Sequence, residues 1–338
     1  MGLRTTVSGK LVLEALEKHP EAPTKTLARL LHKERPDIFQ TIKKAAARVA
    51  YYRGNGGKHN RKALAGKEHV RANQPAGYDM FADLPKPISG WEELRFRKVK
   101  GTKIGVIADV HIPFHDEKAL RTALGWLRDE DIDTLILNGD IADFYAFSRW
   151  AKDPRLVDPQ RDYLMVKEFL RILRREFPMA TMYWAEGNHE YRWHTYLSLN
   201  APLIAEMRVG LGMEELFDLR KLKIKWSPRI EVLQVGEISV LHGHEFNGIS
   251  AQVNAARGLF NKAKNTAVIG HLHQRSTHTE PRLKSKPITT WSVGCLCQLH
   301  PDYATINKWS HGVMLIDRTK EETYAQVHNK IILDGQVI

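Results

Sequence analysis

Five short apolar runs in this 338-residue chain each lead into a cluster of carboxylate, amide or imidazole side chains, and no other feature limits the fold as much. Residues 103–108 end at Asp109-Val110-His111, and residues 134–138 at Gly139-Asp140-Ile141-Ala142-Asp143. Residues 180–185 run into Gly187-Asn188-His189-Glu190, residues 238–241 into His242-Gly243-His244, and residues 266–269 into Gly270-His271-Leu272-His273. Runs this short and this rich in Val, Ile and Leu read as buried strands. Amphipathic stretches near 117–129, 160–176 and 249–264 read as intervening helices, so the body is an α/β domain. Ligands bind at the carboxyl edge of open α/β sheets, so the five clusters are expected to meet in one crevice.

Mixed carboxylate and imidazole donors suit divalent ions of intermediate softness and disfavour an all-oxygen calcium site. Asp109, His111, Asp140, Asn188, His242, His271 and His273 are more donors than one ion needs and enough for two. A carboxylate can bridge two ions, and Asp140, presented by a tight turn at Gly139, is the natural bridge. In His242-Gly243-His244 either imidazole can serve as the donor. Cys295 and Cys297 are too closely spaced for an easy disulfide and read as the packed end of a strand. His115 and Arg192 flank the blocks and are candidate substrate contacts, Arg192 as a bidentate phosphate ligand. Glu190 is expected to position Asn188 or its loop. Trp150, Tyr183, Trp184, Tyr191, Trp193 and Tyr196 gather near the second and third blocks, where some could stack on bases.

The formal net charge of +12 is unevenly placed. Residues 1–100 hold 21 Lys and Arg against 10 Asp and Glu, and the remainder is nearly neutral. A basic appendage on a neutral body suggests a polyanionic partner, nucleic acid above all. Residues 1–56 have the spacing of three short helices, with helix-turn-helix proportions: one helix near 24–31 and a longer one over 37–53 that Pro36 opens. Lys43, Lys44, Arg48 and Arg53 would then face phosphates, and Gln40 and Thr41 base edges. Residues 57–100 read as a linker and residues 101–338 as the main domain. The stretches 288–294, 312–317 and 323–327 read as strands completing a second sheet. No apolar run is long enough for a membrane span and no signal peptide is evident, so a cytoplasmic location is expected. Oligomeric state is not readable.

In this order the five blocks resemble the calcineurin-like metallophosphoesterases, whose pattern is Asp-x-His, Gly-Asp-x-x-Asp, Gly-Asn-His-Glu/Asp, His-Gly and Gly-His-x-His. The resemblance covers about residues 101–318 and implies an α/β/β/α sandwich of two mixed sheets flanked by helices, beside the small all-α N-terminal domain. It implies that Asp109, His111 and His273 hold one ion, that Asn188, His242 and His271 hold the other, and that Asp140 bridges them. It implies too that His189 is a catalytic, non-ligating histidine oriented by Asp143, and that a metal-bridging hydroxide attacks phosphorus. Manganese is the expected ion, with Fe, Zn, Ni, Co or Mg as alternatives.

Two departures argue against the protein-phosphatase subgroup, which follows Asp-x-His with Gly and Gly-Asp-x-x-Asp with Arg-Gly. Here Ile112 and Phe144-Tyr145 stand in those places. The form Gly-Asn-His-Glu-Tyr-Arg is similar to phage and prophage members. The expected activity is dinuclear-metal phosphoesterase action on phosphate mono- or diesters, with nucleic acid as substrate through nuclease, phosphodiesterase or end-processing chemistry. The alternatives are a protein or small-molecule phosphatase and a DNA-binding protein whose metal domain is regulatory. A degenerate binding domain would have lost a donor, and this chain retains them all.

Overall fold

The structure is a computed structural model that describes residues 6–54, 82, 84–88, 90, 92–207, 210–249, 253–318 and 325–338. Two compact units divide the chain, Met1–Ser89 and Gly90–Ile338.

In the first unit, α1 (Val7–Lys18), α2 (Thr24–Glu34) and α3 (Ile42–Tyr52) enclose Val12, Leu27, Leu31, Phe39 and Val49. The helix expected to start at Asp37 starts five residues later. Asp37 is drawn off by Arg35, whose Nη2 lies 2.7 Å from it. The Thr41 hydroxyl accepts from Lys44 N, and so caps the helix. Local bonds also absorb groups expected to face nucleic acid. Gln40 Oε1 accepts from Lys44 Nζ at 2.7 Å. Arg48 donates to Thr6 and Ser8, and Arg53 to Thr24, Pro20 and Ala22. Lys43 and Lys44 are exposed. Most of the expected linker lies outside the described residues.

The second unit opens with β1 (Arg95–Lys98), inside the stretch expected to be linker, so the body begins at Gly90 rather than at residue 101. This strand escapes periodicity because it is a charged edge strand, Arg-Phe-Arg-Lys. Pairing with β6 (Glu231–Val235) holds it, along with a 2.7 Å ion pair between Arg97 and Glu231.

Four parallel strands form one side of one sheet, with the last at its edge: β2 (Lys103–Ile107), β3 (Thr134–Asn138), β4 (Thr181–Ala185) and β5 (Ile224–Ser227). Three antiparallel ones extend it beyond β2: β11 (Gly312–Asp317), β12 (Gln326–Leu333) and β13 (Gln336–Val337). The other sheet runs β1-β6-β7-β8-β10-β9, where β7 is Ile238–Val240, β8 Ala267–Ile269, β9 Ser276–Glu280 and β10 Ile288–Ser292. Of the three C-terminal runs assigned to the second sheet, only β10 joins it. The other two pair into the first sheet, because β11 docks on β2 in the register Met314↔Val106.

Alternation of side chains explains the layers. Ile104, Val106 and Ile136 face the other sheet and pack with Val240, Val268 and Met314. Ile107, Leu135 and Leu137 face outward onto α4 (Glu117–Asp129) and α5 (Pro159–Glu176), through Leu127, Leu170 and Leu173. On the far side, Leu259 of α7 (Ala255–Ala263) covers Val232 and Ile269. The body is an α/β/β/α sandwich, as the motif resemblance implied.

Phe217 is fully buried against the rings of Trp184, Tyr163 and Phe144 at 5.5, 5.7 and 6.1 Å. Replacing it with Ala should cost about 3–5 kcal/mol in urea unfolding; a loss under about 1 kcal/mol would mean that the pocket collapses freely.

Candidate metal centre

Each of the seven expected donors follows a strand end, and the two sheets divide them. Asp109, His111, Asp140 and Asn188 come from the first sheet, and His242, His271 and His273 from the second. The backbone is bent sharply to bring them together. Asp109, His111, Asp140, His271 and His273 all have φ between 53° and 62°, a left-handed conformation costing about 1–3 kcal/mol at each such residue. Glycines make the room: a Cβ on Gly139 would strike the His242 ring, one on Gly187 the Asp140 carboxylate, and one on Gly270 the Asp109 carboxylate. Asp109 is further held by His271 N at 2.9 Å, and Asp140 by His189 N at 2.8 Å.

The donor atoms converge. His273 Nε2 lies 3.2 Å from Asp109 Oδ1, and His111 Nε2 lies 3.1 Å from His273 Nε2. His242 Nε2 lies 3.1 Å from Asp140 Oδ2 and 3.2 Å from Asn188 Oδ1. Asp140, His242 and His271 offer donor atoms within 4.8 Å of one another. Asp140 Oδ2 also lies 3.8 Å from His111, so this carboxylate stands between the His111 and His242 rings. His242 turns into this cluster, while among the described residues neither ring nitrogen of His244 has a hydrogen-bond partner.

Electrostatics fit a cation site. Burial alone would raise the Asp140 carboxyl, but His189, His242 and His111 outweigh it and hold it well below the usual range. Burial would lower His242, yet Asp140 and Asp109 lift it to about 10. Such buried carboxylates draw positive charge to the ring nitrogens, and divalent ions would supply that charge in place of protons. The donor set thus fits divalent metal ions.

A second layer of contacts fixes the first. Asp143 Oδ2 accepts from His111 Nδ1 at 2.9 Å, while His189 Nδ1 donates to the Asp143 backbone carbonyl at 3.0 Å and lies 3.1 Å from the carboxylate. Arg192 donates to Asp143 at 3.2 Å, and its Nη2 meets His189 Nε2 at 2.9 Å. Arg192 therefore packs on the His189–Asp143 pair. His115 forms a backbone bridge with Cys297, and none of its described side-chain contacts reaches the donors.

Three features here carry no sequence pattern. Asn138 O accepts from His242 Nδ1 at 2.7 Å. Trp309 packs edge-on against His273 with ring centroids 4.2 Å apart, and Tyr303, 79% exposed, stands 6.2 Å beyond Trp309. Both rings belong to the loop after Leu299, which Asn307 ties together by donating to Leu299 O and Ala304 O. The aromatics expected near the second and third blocks lie elsewhere. Tyr183 and Trp184 are core, Trp193 packs on Phe147, and Arg229 covers Tyr191. Only Trp150 and Tyr196 are exposed.

The reach of Glu190 is also wider than expected. Fully buried at the start of α6 (Asn188–Asn200), it accepts from Gly187 N, Asp140 N, Ile141 N and Ala142 N at 2.8–3.0 Å. Burial and then the Asp140 charge push it up to about 7, against the pull of these donors. Glu190→Gln turns one acceptor into a donor facing N–H groups. It should cost about 2–3 kcal/mol in urea unfolding and weaken metal binding in calorimetric titration; unchanged values for both would refute this role.

Residues 102–288 match the family described as calcineurin-like phosphoesterase. The chain is 27% identical over 257 residues to the gene 54 protein of Mycobacterium phage L5, covering 70% of this chain and 98% of that one. The gene 54 protein of Mycobacterium phage D29 is 29% identical over 258 residues, with the same coverage. Among solved structures it is similar to vacuolar protein sorting 29 from Cryptosporidium parvum, with 14% identity and a TM-score of 0.38 over 70% of this chain and 95% of that one. No helix among the described residues is long and apolar enough to cross a membrane. With the family match spanning more than half of its length, this chain belongs to the calcineurin-like phosphoesterases, metal-dependent hydrolases of phosphate esters.

Proposed function

We propose that this enzyme hydrolyses phosphodiester bonds of nucleic acid, with two divalent ions, manganese first among them, held by Asp109, His111, Asp140, Asn188, His242, His271 and His273. The observation that carries the substrate class is the aromatic pair beside the centre. Trp309 touches His273, and Tyr303 stands one ring further out, exposed. A base attached to a phosphate at the centre would find Tyr303 within about one nucleotide, and stacking of this kind contributes about 1–3 kcal/mol per base. The basic first unit, with Lys43 and Lys44 exposed, supplies the long-range attraction for a polyanion.

When bound, the ions would neutralise the phosphate oxygens and activate the attacking water. The chain's own residues do the rest. Asp143, its carboxyl held down by His189 and His111 against the effect of burial, keeps a proton on His189 Nδ1. His189 Nε2 faces Asp140 at 3.7 Å and accepts from Arg192 Nη2, so it can carry a proton to a leaving oxygen once Arg192 turns to the phosphate. Arg192, already at that nitrogen, is placed to take up a phosphate oxygen beside it.

Three measurements test this reading. The manganese-loaded enzyme should cleave end-labelled DNA or RNA faster than it dephosphorylates a phosphopeptide or mononucleotides; turnover of the phosphopeptide alone would reassign the substrate. His189→Ala should lower kcat by about 100- to 10,000-fold with metal affinity retained, and equal loss of both would make His189 a ligand. Tyr303→Ala should raise KM for an oligonucleotide about fivefold or more at similar kcat, with Tyr303→Phe near wild type; an unchanged KM would remove the stacking argument.

A further inference from the structure

Three of the four imidazoles of the centre are held from behind. His111 Nδ1 has the Asp143 carboxylate, and His242 Nδ1 has the Asn138 carbonyl. His273 differs. Its Nε2 faces Asp109 and His111 at 3.2 and 3.1 Å, while its Nδ1 faces the thiol of Cys297 at 3.8 Å. Cys297 is buried and carries no disulfide. A ring binds a metal through one nitrogen and is oriented through the other, so a group opposite Nε2 acts on the ligand and not on the ion.

Cys297 is itself closely confined. Its carbonyl accepts from His311 Nε2 at 2.9 Å, and its backbone bridges to His115. The adjacent Leu296 N donates to Asp109 O at 3.0 Å, and Gln298 N to Phe114 O at 3.0 Å. One short segment therefore holds the backbone of Asp109 and the side chain behind His273, two donors facing each other across the same position.

We propose that Cys297 is the positioning residue for His273, fixing its ring orientation through Nδ1 while remaining outside the coordination sphere. This rests on the assignment of His273 as a metal ligand. A thiol is a weaker hydrogen-bond partner than a carboxylate or carbonyl, so the His273 ring is more loosely tethered than those of His111 and His242. An acceptor of ordinary strength at position 297 should tighten it.

The test is cobalt(II) titration of the full chain, followed by calorimetry and by absorption. Wild type should take up cobalt with no near-ultraviolet sulfur-to-cobalt charge-transfer band. Cys297→Ala should weaken one of the two binding events about 10- to 100-fold and leave the other unchanged. Cys297→Asp and Cys297→Asn, which restore an acceptor for Nδ1–H, should recover wild-type affinity or exceed it. A charge-transfer band in wild type that Cys297→Ala abolishes would make the thiol a direct ligand and overturn the proposal. Equal affinities in wild type and Cys297→Ala would overturn it too, as would Ala, Asp and Asn variants all impaired alike, which marks a packing role. Failure of wild type to bind cobalt at all would instead refute the metal-centre assignment beneath it.

Discussion

Four backbone N–H groups from two loops point at one buried carboxylate, that of Glu190, and much of the centre depends on this convergence. The loop after β3 carries Asp140 and Asp143, and the first turn of α6, which follows β4, carries Asn188 and His189. Without Glu190 the four N–H groups would be buried and unpaired. With it, the two loops behave as one piece, and Asp140 can present its other face to the imidazoles. Left-handed backbone at Asp109, His111 and Asp140 is tolerable because so many hydrogen bonds leave the chain no alternative.

Much of this was legible in the sequence because it resides in local pattern. The strand at 134–138 and the helix at 117–129 fall where their periodicity put them, and the donor blocks sit at strand ends because glycine and short polar residues mark those ends. What stayed hidden is tertiary. Nothing in residues 312–317 says which sheet they will join; the register Met314↔Val106 decides it. The Arg-Phe-Arg-Lys edge strand has no buried face to announce it.

The candidate site divides along the same line. The metal donors lie in compact motifs, whereas Cys297, Trp309 and Tyr303 come from loops that meet the donors only after folding. Aromatic density from Trp150 to Tyr196 suggested base stacking, yet Tyr183 and Trp184 serve the core, since a strand buried on both faces needs bulk there. In the N-terminal helices, composition exposed the charge, but not that Arg48 and Arg53 are consumed by neighbouring hydroxyls and carbonyls.

Because one sheet delivers Asp109, His111, Asp140 and Asn188 and the other His242, His271 and His273, the inter-sheet core acts as a spacer gauge. Val106, Val240, Val268 and Met314 set how far apart the two sets of candidate donors stand, although none of them is itself a donor. A methyl group added or removed in so closely packed a core is felt by its neighbours and shifts one sheet against the other. In this fold, the choice of aliphatic residue between the sheets is also a choice of spacing between the two sets of candidate donors.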